Sequence, residues 1–252
     1  MRPYGASWRI SHESVHPGSR GDLTGRRAKP GLPPDWMTPS FRGDFDETLG
    51  LWVRVPPQTA AAPRPALFLD RDGVIVEDPG YLSCPSGLKL IPGAAGLIAL
   101  ANRLGVPVVE VTNQAGIGRG YYGWREFTDV EAALADALAR DGAAIDAAFA
   151  CPYHRDGVPP WAHPDHPARK PRPGMLLAAG RLLNLDLTLS WIVGDRLADL
   201  VAGHSAGLRG GLHVLTGIGA SERPAVVKWS PENFDLRLGN SIADAEALIV
   251  LP

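Results

Sequence analysis

Asp70-Arg71-Asp72-Gly73 follows directly on the apolar run Ala66-Leu67-Phe68-Leu69, so two carboxylates two residues apart leave the end of a buried strand. In a parallel α/β sheet this carboxyl edge is where ligands bind. Two like charges this close are costly unless a cation, or a phosphate with its metal, offsets them. Taken alone, the four residues serve equally well as an acidic turn in which Gly73 supplies the bend. Three later groups weigh against that reading. Val106-Pro107-Val108-Val109-Glu110-Val111 reads as a strand ending in Thr112-Asn113-Gln114. Arg169-Lys170-Pro171 precedes a helical stretch, and Trp191-Ile192-Val193-Gly194 reads as a strand ending in Asp195, with Asp199 four residues on. Carboxylates, a hydroxyl and an ammonium at successive strand ends supply oxygen ligands for a hard cation and positive charge for an anion.

The elements that must position these groups alternate. Strands are expected at 66–70, 106–112, 145–150, 190–194 and 211–216, and helices at 93–104, 124–140, 173–184 and 196–206, a pattern of βαβ units around a parallel sheet. Phe127, Val130, Leu134, Ala137 and Leu138 recur at helical spacing and belong to core. The tail from 223 adds a strand near 234–238 and a helix near 241–249. Glu110, inside an otherwise apolar strand, is expected to be paired or near the sheet's edge. Residues 1–45 carry Pro, Gly, Arg and Ser without periodicity and read as a loosely attached extension, 47–55 as a short strand or tether, and the Ala/Pro stretch to Pro65 as a linker. The expected organisation is an extension and linker over 1–64 and one α/β domain over 65–252.

A net charge of −2 gives no electrostatic footprint for nucleic acid. Two cysteines, Cys84 and Cys151, and no leader-like or membrane-spanning apolar run point to a soluble, cytoplasmic protein without disulfides. Lysine occurs only at positions 29, 89, 170 and 228, which makes Lys170 conspicuous.

The ordered set resembles the haloacid-dehalogenase-like phosphohydrolases. Asp-Arg-Asp-Gly, Val-Thr-Asn-Gln-Ala-Gly-Ile-Gly-Arg-Gly (111–120) and Arg-Lys-Pro-Arg-Pro-Gly-Met (169–175) are similar to the heptose-bisphosphate and histidinol-phosphate phosphatase branch, over roughly residues 65 to 217. The resemblance implies a Rossmann-like three-layer α/β fold with a mainly parallel central sheet and no large cap domain. It also implies a Mg²⁺-dependent phosphomonoesterase. Asp70 would be the nucleophile that forms an aspartyl phosphate, and Asp72 the general acid and then base. Asp70, Asp195 and the backbone carbonyl of Asp72 would hold Mg²⁺. Thr112, Asn113 and Gln114 would meet phosphate oxygens, and Lys170 would balance Asp70 and the phosphoryl group. Asp199 serves equally as a hydrogen-bond partner of a metal-bound water or as a helix-terminal charge. Two positions depart from relatives: Val74, where Thr is common, and Arg196, where Lys is common.

Residues 76–87 and 152–170 form the loops expected at the site's edge. Asp78, Gly80, Tyr81, Arg119, Arg169 and Arg196 are placed to meet a polar phosphate ester, with a heptose 1,7-bisphosphate as first candidate substrate. Relatives often carry a zinc loop, Cys-x-His followed by Cys-x-Cys, just before Arg-Lys-Pro. Here Tyr153 stands at the histidine position, and His166 and Ala168 stand at the two cysteine positions. The set Cys151, His154, His163 and His166 is chemically able to bind zinc, but a metal-free loop held by prolines and hydrogen-bonded imidazoles is favoured. Histidinol phosphate is the nearest rival substrate. A polynucleotide 3′-phosphatase is disfavoured by the charge and by the lack of a Gly-Lys-Ser/Thr loop. A non-catalytic phosphate-sensing protein is disfavoured by the presence of every motif group.

Overall fold

The computed structural model describes residues 43–57, 62–229 and 231–250, and the part of the expected extension before residue 43 lies outside them. Eight strands form one sheet in the order β1-β2-β5-β4-β3-β6-β7-β8. They are β1 (Asp44–Asp46), β2 (Leu51–Arg54), β3 (Leu67–Leu69), β4 (Val108–Asn113), β5 (Ala147–Cys151), β6 (Trp191–Gly194), β7 (Gly210–His213) and β8 (Asp235–Leu238). From β5 to β8 every pairing is parallel; the β1–β2 hairpin adds antiparallel to β5 through Trp52, Val53 and Arg54. The helices are α1 (Ala94–Arg103), α2 (Ala115–Gly118), α3 (Trp124–Ala139), α4 (Gly174–Leu183), α5 (Leu197–Ser205), α6 (Gly219–Lys228) and α7 (Glu246–Val250).

Both faces of the sheet are covered, as an all-parallel centre requires. Leu67 and Leu69 point into one core with residues of α1 and α3, while Phe68 points into the other with residues of α4 and α5. This alternation is the period of two that makes β3 a buried strand. No large insertion caps the sheet among the described residues: Asp70 to α1 is loop with one short 3-10 turn at Pro85–Gly87, and β5 to α4 is loop.

Four differences from the sequence reading have physical causes. The strand expected at 47–55 is the second half of a hairpin, because the turn after Asp46 folds Asp44–Asp46 back on it. Helix α6, where no helix was expected, carries Pro224 and has no apolar stripe, burying only Gly219 and Val226. β7 stops at His213, after which Thr216 turns to donate its hydroxyl to the carbonyl of Gly73 at 2.6 Å. Glu110 lies in central β4, fully buried, and neither carboxylate oxygen has a hydrogen-bond partner among the described residues. It is therefore neither paired nor at an edge, and burial pushes its pKa well above the ordinary range, with Glu131 adding to the rise and Arg71 opposing it.

Candidate active site

The neighbours β4, β3 and β6 all point the same way, so their carboxyl ends deliver Thr112, Asp70 and Asp195 to one edge. Register fixes the match: Leu69 pairs with Glu110 on one side and Val193 on the other, which brings Asp70 level with Val111, one residue before Thr112, and with Gly194, one residue before Asp195. The Asp70 N–H donates to the Val193 carbonyl at 3.0 Å, while the Asp70 carboxylate accepts from the Arg71 N–H at 2.8 Å. The chain then turns within residues 71–76: the N–H groups of Ile75 and Val76 donate to the Arg71 carbonyl, and that of Gly73 to the Val76 carbonyl. Gly73 sits at φ +87°, and a Cβ there would stand 2.5 Å from Asp195 Oδ2. The turn therefore needs glycine for its backbone angle and for the approach of Asp195.

Lys170 lies at the centre, almost fully buried. Its Nζ is 2.9 Å from Asp70 Oδ1, 2.7 Å from Asp199 Oδ1 and 2.7 Å from the Val111 carbonyl. Asn113 fastens it from β4, donating to the Lys170 carbonyl at 3.0 Å and accepting its N–H at 3.1 Å. Burial alone would lower the ammonium's pKa, but the Asp199 and Asp70 carboxylates outweigh it and raise it above the usual lysine value. Burial pushes Asp70 up to about 8, against the pull of Lys170 and with the push of Asp199, Asp195 and Asp72. Burial and Asp199 likewise push Asp195 up to about 6, although its Oδ2 accepts the Ile218 N–H at 2.9 Å.

Oxygen atoms of Asp70, Asp195 and Asp199 lie within 4.8 Å of one another. Asp195 Oδ1 is buried without a hydrogen bond, with only the Arg196 Nε 3.8 Å away. Three buried carboxylates face one ammonium, so the cluster carries excess negative charge on hard oxygen donors. That is the donor set and charge a divalent cation such as Mg²⁺ requires. Asp199 also accepts the Arg196 N–H at 3.0 Å, which caps α5. Its spacing one turn beyond Asp195 was the available signal; its contact with Lys170 depends on the loop from residue 170 and has no local trace in sequence.

Asp72 points its carboxylate to Arg71 Nη2 at 3.0 Å and accepts from Gln114 Nε2 at 3.1 Å. Arg71 is itself buried, with Nη1 on Glu131 at 3.1 Å and its guanidinium over Phe127. Gln114 Nε2 also donates to Thr112 Oγ1 at 2.8 Å, and the Gln114 N–H is spent on the Cys151 carbonyl. Around this centre Asp78 accepts from Gly80 N–H and lies 3.4 Å from Arg196, and Arg119 donates to Tyr81 Oη at 3.0 Å and reaches His154. Arg169 donates to the Tyr153 carbonyl at 3.0 Å. Burial lowers the Arg169 pKa, and the nearby Arg119 and Arg196 lower it further. A cavity of ≈ 350 Å³ opens beside Lys170 between His154, His166, Arg155, Arg169 and Arg172. By contrast, Cys151, His154, His163 and His166 do not converge: among the described residues, the one group of three or more such donors close enough for an ion is the aspartate cluster.

Comparison with known proteins agrees with this geometry. Residues 167–239 match the HAD-hydrolase-like family model. A D-glycero-beta-D-manno-heptose-1,7-bisphosphate 7-phosphatase of Mesorhizobium japonicum is 51% identical over 163 residues, 64% of this chain and 75% of that protein. The D-glycero-alpha-D-manno-heptose-1,7-bisphosphate 7-phosphatase of Burkholderia mallei is 42% identical over 57% of this chain and 76% of its own length. Among solved structures, a HAD-like phosphatase from Mesorhizobium loti superposes with a TM-score of 0.69 at 43% identity, over 79% of this chain and 93% of its own. The D,D-heptose 1,7-bisphosphate phosphatase of B. bronchiseptica, complexed with magnesium and phosphate, gives 0.63 at 29% identity, over 74% and 98%. The chain belongs to the haloacid-dehalogenase-like family of phosphoric monoester hydrolases. Among the described residues no helix is long and apolar enough to cross a membrane.

Proposed function

We propose that this chain removes the 7-phosphate of a D-glycero-D-manno-heptose 1,7-bisphosphate, with the β anomer as first substrate because the 51% identical relative bears that name. The observation that carries the reading is the buried set Asp70, Lys170, Asp195 and Asp199, with Asp70 and Asp195 directly following the adjacent strands β3 and β6. The catalytic domain runs from about residue 65, with the β1–β2 hairpin added at its β5 edge.

Asp70 attacks phosphorus through its free carboxylate oxygen; the P–O bond to the sugar breaks, and the phosphoryl group is carried as an aspartyl phosphate. Asp72 donates the proton the leaving alkoxide needs, then takes one from the water that releases phosphate. Lys170 holds its charge beside Asp70 while the dianion arrives. Asp70, Asp195 and the Asp72 backbone carbonyl would hold Mg²⁺, with Asp199 placed to orient its water; when bound, the ion neutralises phosphoryl oxygens and draws the Asp70 pKa back into the ionised range. Thr112 and Asn113 meet phosphoryl oxygens. Arg119, Arg169 and Arg196, with Asp78, Gly80 and Tyr81, meet the sugar and its second phosphate. Arginine–phosphate contacts of this kind are strong and directional.

Phosphate release from the α and β bisphosphates, histidinol phosphate and a DNA 3′-phosphate, each with and without Mg²⁺, tests the reading. A heptose bisphosphate is expected to give the highest kcat/KM by at least about tenfold, a difference of about 1.4 kcal/mol in transition-state binding. A higher value for histidinol phosphate would overturn the substrate assignment.

A further inference from the structure

The loop from Pro152 to Arg169 carries the residues that relatives of this branch use to wrap a metal, with Tyr153, His166 and Ala168 at three of the four ligand positions. The structure fills that place with rings. Tyr153 and His166 stack with centroids 3.7 Å apart and planes 8° from parallel. His163 meets both edge-on, at 6.1 and 5.1 Å, and Trp161 meets Tyr153 edge-on at 5.5 Å.

The imidazoles are already committed. Nδ1 of His154, His163 and His166 accepts the N–H of Asp156, Asp165 and Ala168 respectively, and His154 Nε2 lies 3.3 Å from the Arg119 guanidinium. Cys151 is fully buried, and burial pushes its thiol up to about 12. These donors do not converge on a common point, as a tetrahedral zinc site requires.

What lies under the stack is the β1–β2 turn. A Cβ at Gly50 would stand 3.0 Å from the His166 ring and 3.2 Å from the Tyr153 ring, so the hairpin passes in close contact. From β1, Phe45 meets Trp161 at 5.0 Å and Trp124 at 5.7 Å, which extends the ring cluster from the loop to the start of α3. Edge-to-face and stacked pairs at these separations stabilise beyond the area they bury. Both stacked residues hold Arg169, immediately before Lys170: its Nη1 donates to the Tyr153 carbonyl and its N–H to the His166 carbonyl, each at 3.0 Å.

We propose that Phe45, Trp161, Tyr153 and His166 form an aromatic clamp that replaces a structural metal and holds the 152–169 loop, so that the Tyr153 carbonyl aims Arg169 at the substrate's second phosphate. They are positioning residues. Only the last clause rests on the bisphosphate reading.

The test uses the full chain, grown with zinc in the medium. Wild type is expected to hold well under about 0.1 equivalents of zinc, because nothing on the loop offers a preorganised donor set. Treatment with a zinc chelator then leaves hydrogen exchange over 152–168 unchanged. Phe45→Ala and Tyr153→Ala are expected to speed exchange in that segment and to raise KM for the bisphosphate about tenfold, with kcat for p-nitrophenyl phosphate within about threefold of wild type. Tyr153→Phe and His166→Phe keep the rings while removing any ligand, and are expected to stay within about threefold of wild type in KM. One tightly held zinc that is lost on Cys151→Ser would overturn the proposal, as would a His166→Phe variant whose loop exchanges as fast as that of Tyr153→Ala. If p-nitrophenyl phosphate is hydrolysed but neither bisphosphate is, the substrate reading fails while the zinc and exchange measurements still decide the clamp.

Discussion

Gly73→Ala separates backbone strain from damage to the aspartate cluster. Gly73 (φ +87°) and Gly142 (φ +68°) both hold left-handed backbone, but nothing lies within 4 Å of a Cβ at Gly142. Alanine at either position costs about 1–2 kcal/mol for that backbone alone. At Gly73 the new Cβ meets Asp195 Oδ2 at 2.5 Å and the Gly217 Cα at 3.0 Å, against an ordinary contact of 3.4 Å or more. Asp195 must therefore retreat by most of an ångström, and its 2.9 Å hydrogen bond from Ile218 is lost or stretched. A hydrogen bond to a charged group contributes about 1.5–3 kcal/mol, which puts Gly73→Ala at about 2.5–5 kcal/mol in total and Gly142→Ala at about 1–2 kcal/mol. Because a displacement of about 1 Å at reacting groups costs on the order of a hundredfold in rate, kcat should fall that far in Gly73→Ala and stay level in Gly142→Ala. Urea unfolding with matched m-values reads the stability, and p-nitrophenyl phosphate at saturating Mg²⁺ reads kcat. If the two variants agree in stability within about 0.5 kcal/mol and in kcat within about threefold, the close approach of Gly73 and Asp195 carries no function and the reasoning fails.

Lys170→Met should cut kcat by roughly two to three orders of magnitude, because it leaves Asp70 and Asp199 uncompensated, whereas exposed Lys89→Met, paired only with Glu77, should leave it unchanged. Asp195→Asn should abolish Mg²⁺ binding by calorimetry while Asp72→Asn largely spares it, since the Asp72 carboxylate is turned to Arg71 and Gln114; equal losses would contradict that assignment. For Glu110 the folded pKa is raised, so the folded chain holds a proton that the unfolded chain releases, and stability falls as pH rises above about 4.5. Glu110→Gln should therefore match wild type in melting temperature near pH 4.5 and exceed it at pH 8, with kcat unchanged; parallel pH profiles would refute it. The same sign applies to Asp70 and Asp195 without metal: melting temperature should fall between pH 5 and 8, and Mg²⁺ should raise it more at pH 8 than at pH 5, as scanning fluorimetry will read.

The central parallel strands β3 to β6 were legible because each is a short, largely apolar run buried on both faces. The long amphipathic α3 was legible for the complementary reason, one buried stripe through Phe127, Val130, Leu134 and Leu138. α6 and the β1–β2 hairpin carry no such signature: the first buries two residues, and the second has only one strong apolar pair, Leu51 and Trp52. Asp70, Thr112 and Asp195 stood out from their place at strand ends, and Lys170 from the scarcity of lysine and its motif ahead of a helix. Contacts that cross the fold were not. Arg71 looked like a spacer between two carboxylates, yet it is buried on Glu131 and Phe127, elements sixty residues away that local pattern cannot pair with it.

Hydrogen-bond counting narrows how the site receives a phosphoryl group. The Lys170 ammonium donates to the Val111 carbonyl and is ion-paired with the Asp70 and Asp199 carboxylates, so those bonds already hold it on the protein side. It therefore acts on an arriving dianion as a fixed charge, unless one of those bonds is exchanged. The Gln114 N–H is spent on Cys151, and the Asn113 side chain is spent on Lys170. Thr112 differs: its oxygen already accepts from Gln114 Nε2, which turns its own proton outward as a donor. Gln114 Nε2 also holds Asp72, so one amide orients both the Thr112 hydroxyl proposed to meet the phosphate and the Asp72 carboxyl proposed as the acid. The position of Asp72 is thus set through β4 as well as through its own turn, because β4 lies beside β3 and the residue after it, Gln114, reaches the Asp72 carboxylate.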